Sequence, residues 1–333
     1  MAARKKHRSA GATARLPAPG EFGYIDWVLK RCPTNRYVTL PSGDDCAALK
    51  IPPGQELLYA IDSVVDGVHF HRRRDGCKAA ARKAVLRNVS DIAAMGGEPI
   101  AAVAGLGLPD PFSPREKAGL FEGLASACRD WKMALVGGDI SRSSASRTRN
   151  AGGLWISVSI LGLVPDGSAL RRDTARVGDK IYVTGRLGGS IHGKHLEFTP
   201  RVAEGRWLRE RGLATACMDL SDGLARDLTN LCKASQVGAW VFGAALPVAA
   251  VLQRNSRLNA RQKIRHAVGD GEDFELLFTV DPQAEFRLKR TWPKRFPSLS
   301  CVGTVMPRSV GLALTLPGPG VEPLSALGWE HRV

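Results

Sequence analysis

The stretch CMDLSDGLARDL (Cys217 to Leu228) sets Asp219, Asp222 and Asp227 among Met218, Leu220, Leu224 and Leu228, side chains that belong in a core. A carboxylate withdrawn from water is costly unless a cation or several hydrogen bonds satisfy it. The chain must therefore fold so that these acids meet a cation or several hydrogen bonds. NVSDIAAMGG (Asn88 to Gly97) repeats the pattern far upstream and places Asp91 inside an apolar run. Asp62 interrupts YAIDSVV, an otherwise apolar strand, although aspartate is depleted in strands.

Each acid has a plainer alternative. Asp44 and Asp45 in SGDDCAAL suit a turn before a strand, where Asp and Gly are common for backbone reasons. Asp91 follows Arg87 by four residues, the spacing of a surface ion pair on a helix. Asp139 ends VGGD just beyond a buried strand, where ligand sites of α/β folds often lie. Ser221 and Asp222 suit the cap of a helix. Together these alternatives require many coincidences, and convergence on a divalent cation requires one. The ligands are Asp rather than His or Cys, which argues against zinc and copper. Mg²⁺ takes carboxylate oxygens and water and bridges protein to phosphates. The expectation is that the acids hold Mg²⁺ and, through it, a polyphosphate.

The chain has 333 residues, enough for two domains or one large one. No stretch approaches the ~18 consecutive apolar residues of a membrane span, and no apolar segment follows the N-terminus as in a secretory signal. Seven scattered cysteines without a C-x-x-C pair suit reduced thiols in a cytoplasmic protein. The net charge of +15 resides partly in MAARKKHRSAGATAR, a tail expected to be disordered, and partly in HRRR (His71 to Arg74), RSSASRTR (Arg142 to Arg149) and RRDTAR (Arg171 to Arg176). Such runs serve as solvated loops, phosphate contacts or nucleic-acid patches, and charge alone does not choose among them.

Periodicity predicts a helix in GEFGYIDWVLKRC, strands in CAALKIP and ELLYAIDSVV, and a helix from Lys78 to Met95, where Val85, Val89 and Ile92 recur at helical spacing without Gly or Pro. AAVAGLGL, MALVGGD and LWISVSILGLV read as strands, with a helix in PREKAGLFEGLASACRDW. The second half reads as strands in DKIYVTG, LATACMDL, AWVFGAAL and DFELLFTV, helices in SDGLARDLTNLCKAS and AEFRLKRTW, and a terminal strand near SCVGTV. Alternating helices with hairpin-like strand pairs favour two α/β domains with mixed sheets over one doubly wound sheet. GGSIHGKH (Gly188 to His195) nearly matches a P-loop, but His195 stands where a Mg²⁺-ligating Ser or Thr is required. A glycine turn is the better reading.

GDDCAAL, DSVVDGVHF, NVSDIAAMGGEP, GGDISRS, DLSDGLARDL and GDGEDFELLF, in this order, resemble the motifs of the thiamine-monophosphate kinases. That family lies in the superfamily of aminoimidazole ribonucleotide synthetase and selenophosphate synthetase. The resemblance spans Gly20 to Trp329. It implies an α/β (α+β), two-domain aminoimidazole ribonucleotide synthetase-like fold with mixed sheets. A basic tail (1–19) would precede an N-terminal α/β domain (20–165), which binds metal and ATP and pairs in a homodimer, and a C-terminal α+β domain (166–333). By position it implies Asp45, Asp62, Asp91, Asp139, Asp219 and Asp222 as ligands of several Mg²⁺ ions. ATP would meet Phe121, Gly138, Asp139, Arg172 and Ser221, and thiamine monophosphate would meet His69, Glu272 and Trp329. No catalytic residue is implied beyond these metal and phosphate ligands.

Departures accompany the likeness. Ala60 and Ile61 in AID replace a more usual Ser-Thr, LGGS replaces LGDS, Asp270 stands where glycine is common, and the segment before TPRVAEG is short. Two rival readings follow: a related ATP-dependent enzyme with another small acceptor, and a basic nucleic-acid-binding protein. The gathering of acids weighs against a polyanion site.

Overall fold

The computed structural model describes residues 21–143, 153–317 and 320–324. The basic tail, most of RSSASRTR and Trp329 lie outside the described residues. Helix α1 (Glu21–Leu29) and a short antiparallel ribbon, β1 (Val38–Leu40) with β2 (Ala48–Leu49), precede the first long strand, β3 (Gln55–Val65). The strand expected over CAALKIP is thus only two residues long. Alternation along β3 turns Leu58, Ala60, Asp62 and Val64 to one face and Leu57, Tyr59, Ile61 and Ser63 to the other.

Helix α2 (Arg72–Ala94) begins earlier than its periodicity predicts, with a first turn set off by Gly76, whose φ of 81° is not helical. Strand β4 (Glu98–Leu108), helix α3 (Pro114–Asp130), β5 (Ala134–Arg142) and β6 (Trp155–Pro165) complete the first half. Ser113 and Glu116 form a capping box at the start of α3. The sheet order is β3-β6-β4-β5, parallel between β4 and β5 and antiparallel elsewhere. One face of this sheet buries Val64, Leu106, Ile156, Val158 and Ile160 against Val85, Val89 and Ile92 of α2 and Leu120 and Leu124 of α3. Each such side chain contributes about 1.5–3 kcal/mol.

The second half contains β7 (Lys180–Thr184), α4 (Val202–Arg211), β8 (Ala216–Asp219), α5 (Leu224–Ser235), β9 (Gly238–Phe242), α6 (Ala250–Gln253), α7 (Ala260–Gly269), β10 (Leu276–Val280), α8 (Glu285–Thr291), β11 (Leu299–Met306), β12 (Leu312–Thr315) and β13 (Val321–Pro323). Its seven strands run β13-β12-β9-β11-β7-β10-β8, with only the β9–β12 pair parallel among the described residues. Both sheets are mixed, as the sequence predicts. Helices α4, α6 and α7 were not anticipated, and β12 and β13 follow the strand expected to be terminal.

Helix α2 lies where the halves meet. It packs against α4 so closely that a Cβ on Gly205 would strike the Ala93 carbonyl. Farther along, Leu86 packs with Phe198 and Phe274, whose rings stack at 4.0 Å between centroids.

Candidate active site

A row of charge runs through the apolar length of α2. Lys83, Arg87 and Asp91 recur every four residues and share one face. Lys83 is fully buried. Its Nζ donates to the His69 carbonyl at 2.6 Å and lies 3.0 Å from His195 Nδ1 and 2.7 Å from Glu272 Oε1. Burial lowers the Lys83 pKa, and the Glu272 carboxylate opposes that shift. Arg87 Nε donates to Asp62 Oδ2 at 3.1 Å, and its Nη1 is 3.8 Å from Glu272 Oε1. Arg87 is therefore tied to Asp62 on β3 and to Glu272 in the other half, and the surface pair with Asp91 does not form.

Asp91 and Asp219 occupy the junction of the halves. Ser90 Oγ donates to Asp219 Oδ2 at 2.7 Å. Burial, with repulsion from Asp219 and Asp62, pushes the Asp91 carboxyl up to about 8. Burial raises Asp219 to about 6 against the Ser90 hydrogen bond, which lowers it. Asp227 is raised well above the carboxylate range by burial and by Asp219 and Asp222. Arg172 acts in the opposite sense on both Asp91 and Asp219. Acids that suppress one another's charge are a site a cation would relieve. Among the described residues no three carboxylate, imidazole or thiolate groups form a ready-made metal cage. The donor set fits Mg²⁺, which uses one or two carboxylates and fills its shell with water and phosphate oxygens.

The loop between α7 and β10 presents Glu272. Both Glu272 (φ 55°) and Phe274 (φ 50°) are left-handed, a strain of order 1–3 kcal/mol each. Amide bonds from Glu272 to the Ser221 carbonyl (2.7 Å) and from Phe274 to the Leu220 carbonyl (2.8 Å) hold the loop against the end of β8. A cavity of about 390 Å³ opens here, lined by His69, Arg87, Ser221, Asp222, Asp270 and Glu272 among others. A second cavity, of about 410 Å³, is lined by Asp44, Asp45, Phe121, Gly138 and Asp139 beside α1 and β5.

The residues expected at the site thus fall into three groups. Asp62, Asp91 and Asp219 form the central acids, with Arg172 acting on two of them. His69, Ser221, Asp222 and Glu272 line the first cavity, and Asp45, Phe121, Gly138 and Asp139 line the second. The expected nucleotide contacts are not gathered in one place. Phe121 is almost wholly covered, its ring edge-on to Trp27 at 5.0 Å. Asp139 lies within β5 rather than beyond it, and Ser141 Oγ donates to its Oδ2 at 2.9 Å. Gly138 passes so near the Ala104 carbonyl that no Cβ would fit. Ser221 and Asp222 do not cap α5. Gly223 is its N-cap, and the Asp222 amide donates to Asp227 Oδ2 at 3.1 Å.

Three departures have physical readings. Ile61 faces away from Asp62 and is exposed, so only Ala60 changes the strand face that carries the acid. The Gly189 amide donates to Asp270 Oδ2 at 2.7 Å, so two of the altered positions bond to each other. Lys194 is not a P-loop lysine: its Nζ donates to Glu275 at 2.9 Å and to the Arg186 carbonyl at 3.0 Å. Buried Glu275 also accepts from Nε and Nη2 of Arg201 and from the Thr184 hydroxyl. Lys83, His195 and Asp227 were missed as site residues. For Lys83, the Lys83–Arg87–Asp91 spacing in the Gly- and Pro-free stretch from Lys78 to Met95 was the available signal.

Residues 43–164 match the family described as AIR synthase related protein, N-terminal domain. Thiamine-monophosphate kinases of Salmonella typhimurium and Escherichia coli K12 are 37% and 34% identical, each over 94% of this chain and 98% of the relative. A solved structure of AaThiL complexed with AMPPCP and TMP matches with a TM-score of 0.70 at 29% identity, covering 94% of this chain and 97% of that one. With the likeness covering 94% of the chain, the chain has the AIR synthase fold and belongs to the thiamine-monophosphate kinase family.

Proposed function

We propose that this chain is an ATP- and Mg²⁺-dependent kinase that converts thiamine monophosphate to thiamine diphosphate. The observation that carries the reading is the Asp91–Asp219 junction, where burial and repulsion from neighbouring aspartates raise two carboxyls in a member of this family. A phosphate oxygen of thiamine monophosphate forms a bond to the γ-phosphorus of ATP. The β–γ bridging bond breaks, and ADP leaves with the electron pair. The attacking oxygen is already ionised at neutral pH, so no strong base is required. The main barrier is repulsion between two anions, which Mg²⁺ on Asp91, Asp219 and Asp222 would neutralise.

The cavity with His69 and Glu272 is the acceptor pocket in this reading. The Val65 amide donates to His69 Nδ1 at 3.1 Å, which leaves Nε2 as the protonated nitrogen of the neutral ring. Asp45, Gly138 and Asp139 are assigned to metal and nucleotide beside the second cavity, and Arg172 and Ser221 to phosphate oxygens near the central acids. Trp329 keeps its assigned role toward the acceptor. ADP release measured across a panel of phosphorylated acceptors tests the activity. Thiamine monophosphate should exceed the others by about 100-fold in kcat/KM and require Mg²⁺. Preference for another acceptor would move the chain to the related-enzyme reading.

Two domains, 20–165 and 166–333, are part of the same reading, supported by separate sheets and cores. A homodimer through the open face of the first sheet is supported by Tyr59 and Ile61, 72% and 65% exposed, beside exposed Leu57 and Val103. Tyr59→Glu should convert dimer to monomer in light scattering. A wild-type monomer, or an unaffected dimer, would refute that interface. The seven cysteines, none in a disulfide, support a cytoplasmic location. No described helix is long and apolar enough to cross a membrane.

A further inference from the structure

Arg87 holds a position that the metal reading of the six aspartates did not foresee. Its guanidinium is clamped between Asp62 at 3.1 Å and Glu272 at 3.8 Å, and its side chain is only 12% exposed. The Phe274 ring lies 5.9 Å from its Cζ. Val85, Leu86, Asn88 and Val89 around it on α2 are all buried, so the arginine stem springs from a packed segment. A guanidinium keeps its charge throughout the physiological range. The short partner of Asp219, by contrast, is the neutral Ser90 hydroxyl. Ala60, the preceding residue on the Asp62 face of β3, has no side-chain oxygen to serve as a second ligand.

We propose that Arg87 is a built-in counter-ion: it fills at Asp62 the neutralising place that a divalent cation would otherwise take, and the metal is held on Asp91, Asp219 and Asp222 instead. This rests on the kinase reading above. A divalent ion at Asp62 Oδ2 would have to displace Arg87 Nε, at the cost of this largely buried ion pair, or stand beside a fixed positive charge, which Coulomb repulsion disfavours. The same guanidinium reaches Glu272, so Arg87 also couples the central acids to the acceptor cavity. It is a positioning residue, acting on the phosphate chemistry through Asp62 and Glu272.

The count of bound ions tests this without turnover. Mn²⁺ binding is measured by equilibrium dialysis in saturating AMPPCP for the full chain and for Arg87→Gln, Arg87→Lys and Asp62→Asn. Arg87→Gln should bind one Mn²⁺ per chain more than the wild type. Arg87→Lys and Asp62→Asn should each match the wild type. An Asp62→Asn chain that loses an ion, or a folded Arg87→Gln chain that gains none, overturns the proposal. If Arg87→Gln does not fold, the Asp62→Asn count decides alone. Absence of any nucleotide-dependent Mn²⁺ binding in the wild type would instead bring down the kinase reading.

Discussion

Asp91→Asn is expected to lower kcat by about 10³-fold and to raise the melting midpoint of the metal-free protein. In the proposed kinase reading the first effect follows from removing a charge that would hold metal where two phosphate anions meet: a loss of about 4 kcal/mol in transition-state stabilisation corresponds to that factor. The second follows from the carboxyl itself, which burial and the neighbouring acids push up to about 8. An unfolded aspartate titrates near ~3.9. The stability that protonated Asp91 contributes is complete below that value and is lost as pH rises toward about 8. Asp219, raised to about 6, adds loss of the same sign over a lower window. Metal-free wild type should therefore melt progressively lower between pH 5 and 8. Asp91→Asn should flatten the fall, and Mg²⁺ should restore most stability at the high end, where the carboxylates are ionised. Steady-state kinetics and melting curves across this range check both effects. Near-normal turnover of the variant at saturating Mg²⁺ would remove Asp91 from the centre.

Lys83→Met is the second large effect, and it falls first on stability. The substitution keeps most of the side-chain volume but leaves Glu272 without its 2.7 Å partner and the His69 carbonyl without its 2.6 Å donor. Breaking one side of a buried pair costs about 3–5 kcal/mol, and with Glu272 a quarter exposed the lower end applies. For a chain of this size that is a fall of about 5 °C in the melting midpoint. With only the Arg87 guanidinium at 3.8 Å left to it, the Glu272 carboxylate accounts for much of the cost, so Lys83→Met with Glu272→Gln should recover part of it. A non-additive double-mutant cycle measured by urea unfolding would establish the coupling. Full additivity would mean that Lys83 stabilises α2 through its stem alone.

Helix α4 shows why some elements escaped a reading by pattern. VAEGRWLRER carries Gly205 in its interior, which costs about 1 kcal/mol relative to alanine and weakens any helical expectation. The glycine is required by the close crossing with α2, a contact that no local window contains. Helix α7 buries only Ile264, Ala267 and Val268, too few to stand out from a polar run. Helix α2, by contrast, was legible because Val85, Val89 and Ile92 fix one buried face by spacing alone.

By itself, the order of residues set the expectation that several aspartates among core side chains need a cation or hydrogen bonds. A carboxylate set among core side chains carries its own energetic demand, and residue type with immediate neighbours is enough to state it. Which groups meet that demand was decided only by the tertiary structure. Arg87 bypasses Asp91, four residues along its own helix, for Asp62, 25 residues away on β3. Lys83 finds His195, 112 residues away, and Glu272 from the same distant half. Spacing on a helix brings two side chains onto one face, but their directions and the groups opposite them depend on how the two sheets dock across α2. That docking is the sum of packing over both cores, and no single segment of the sequence contains it.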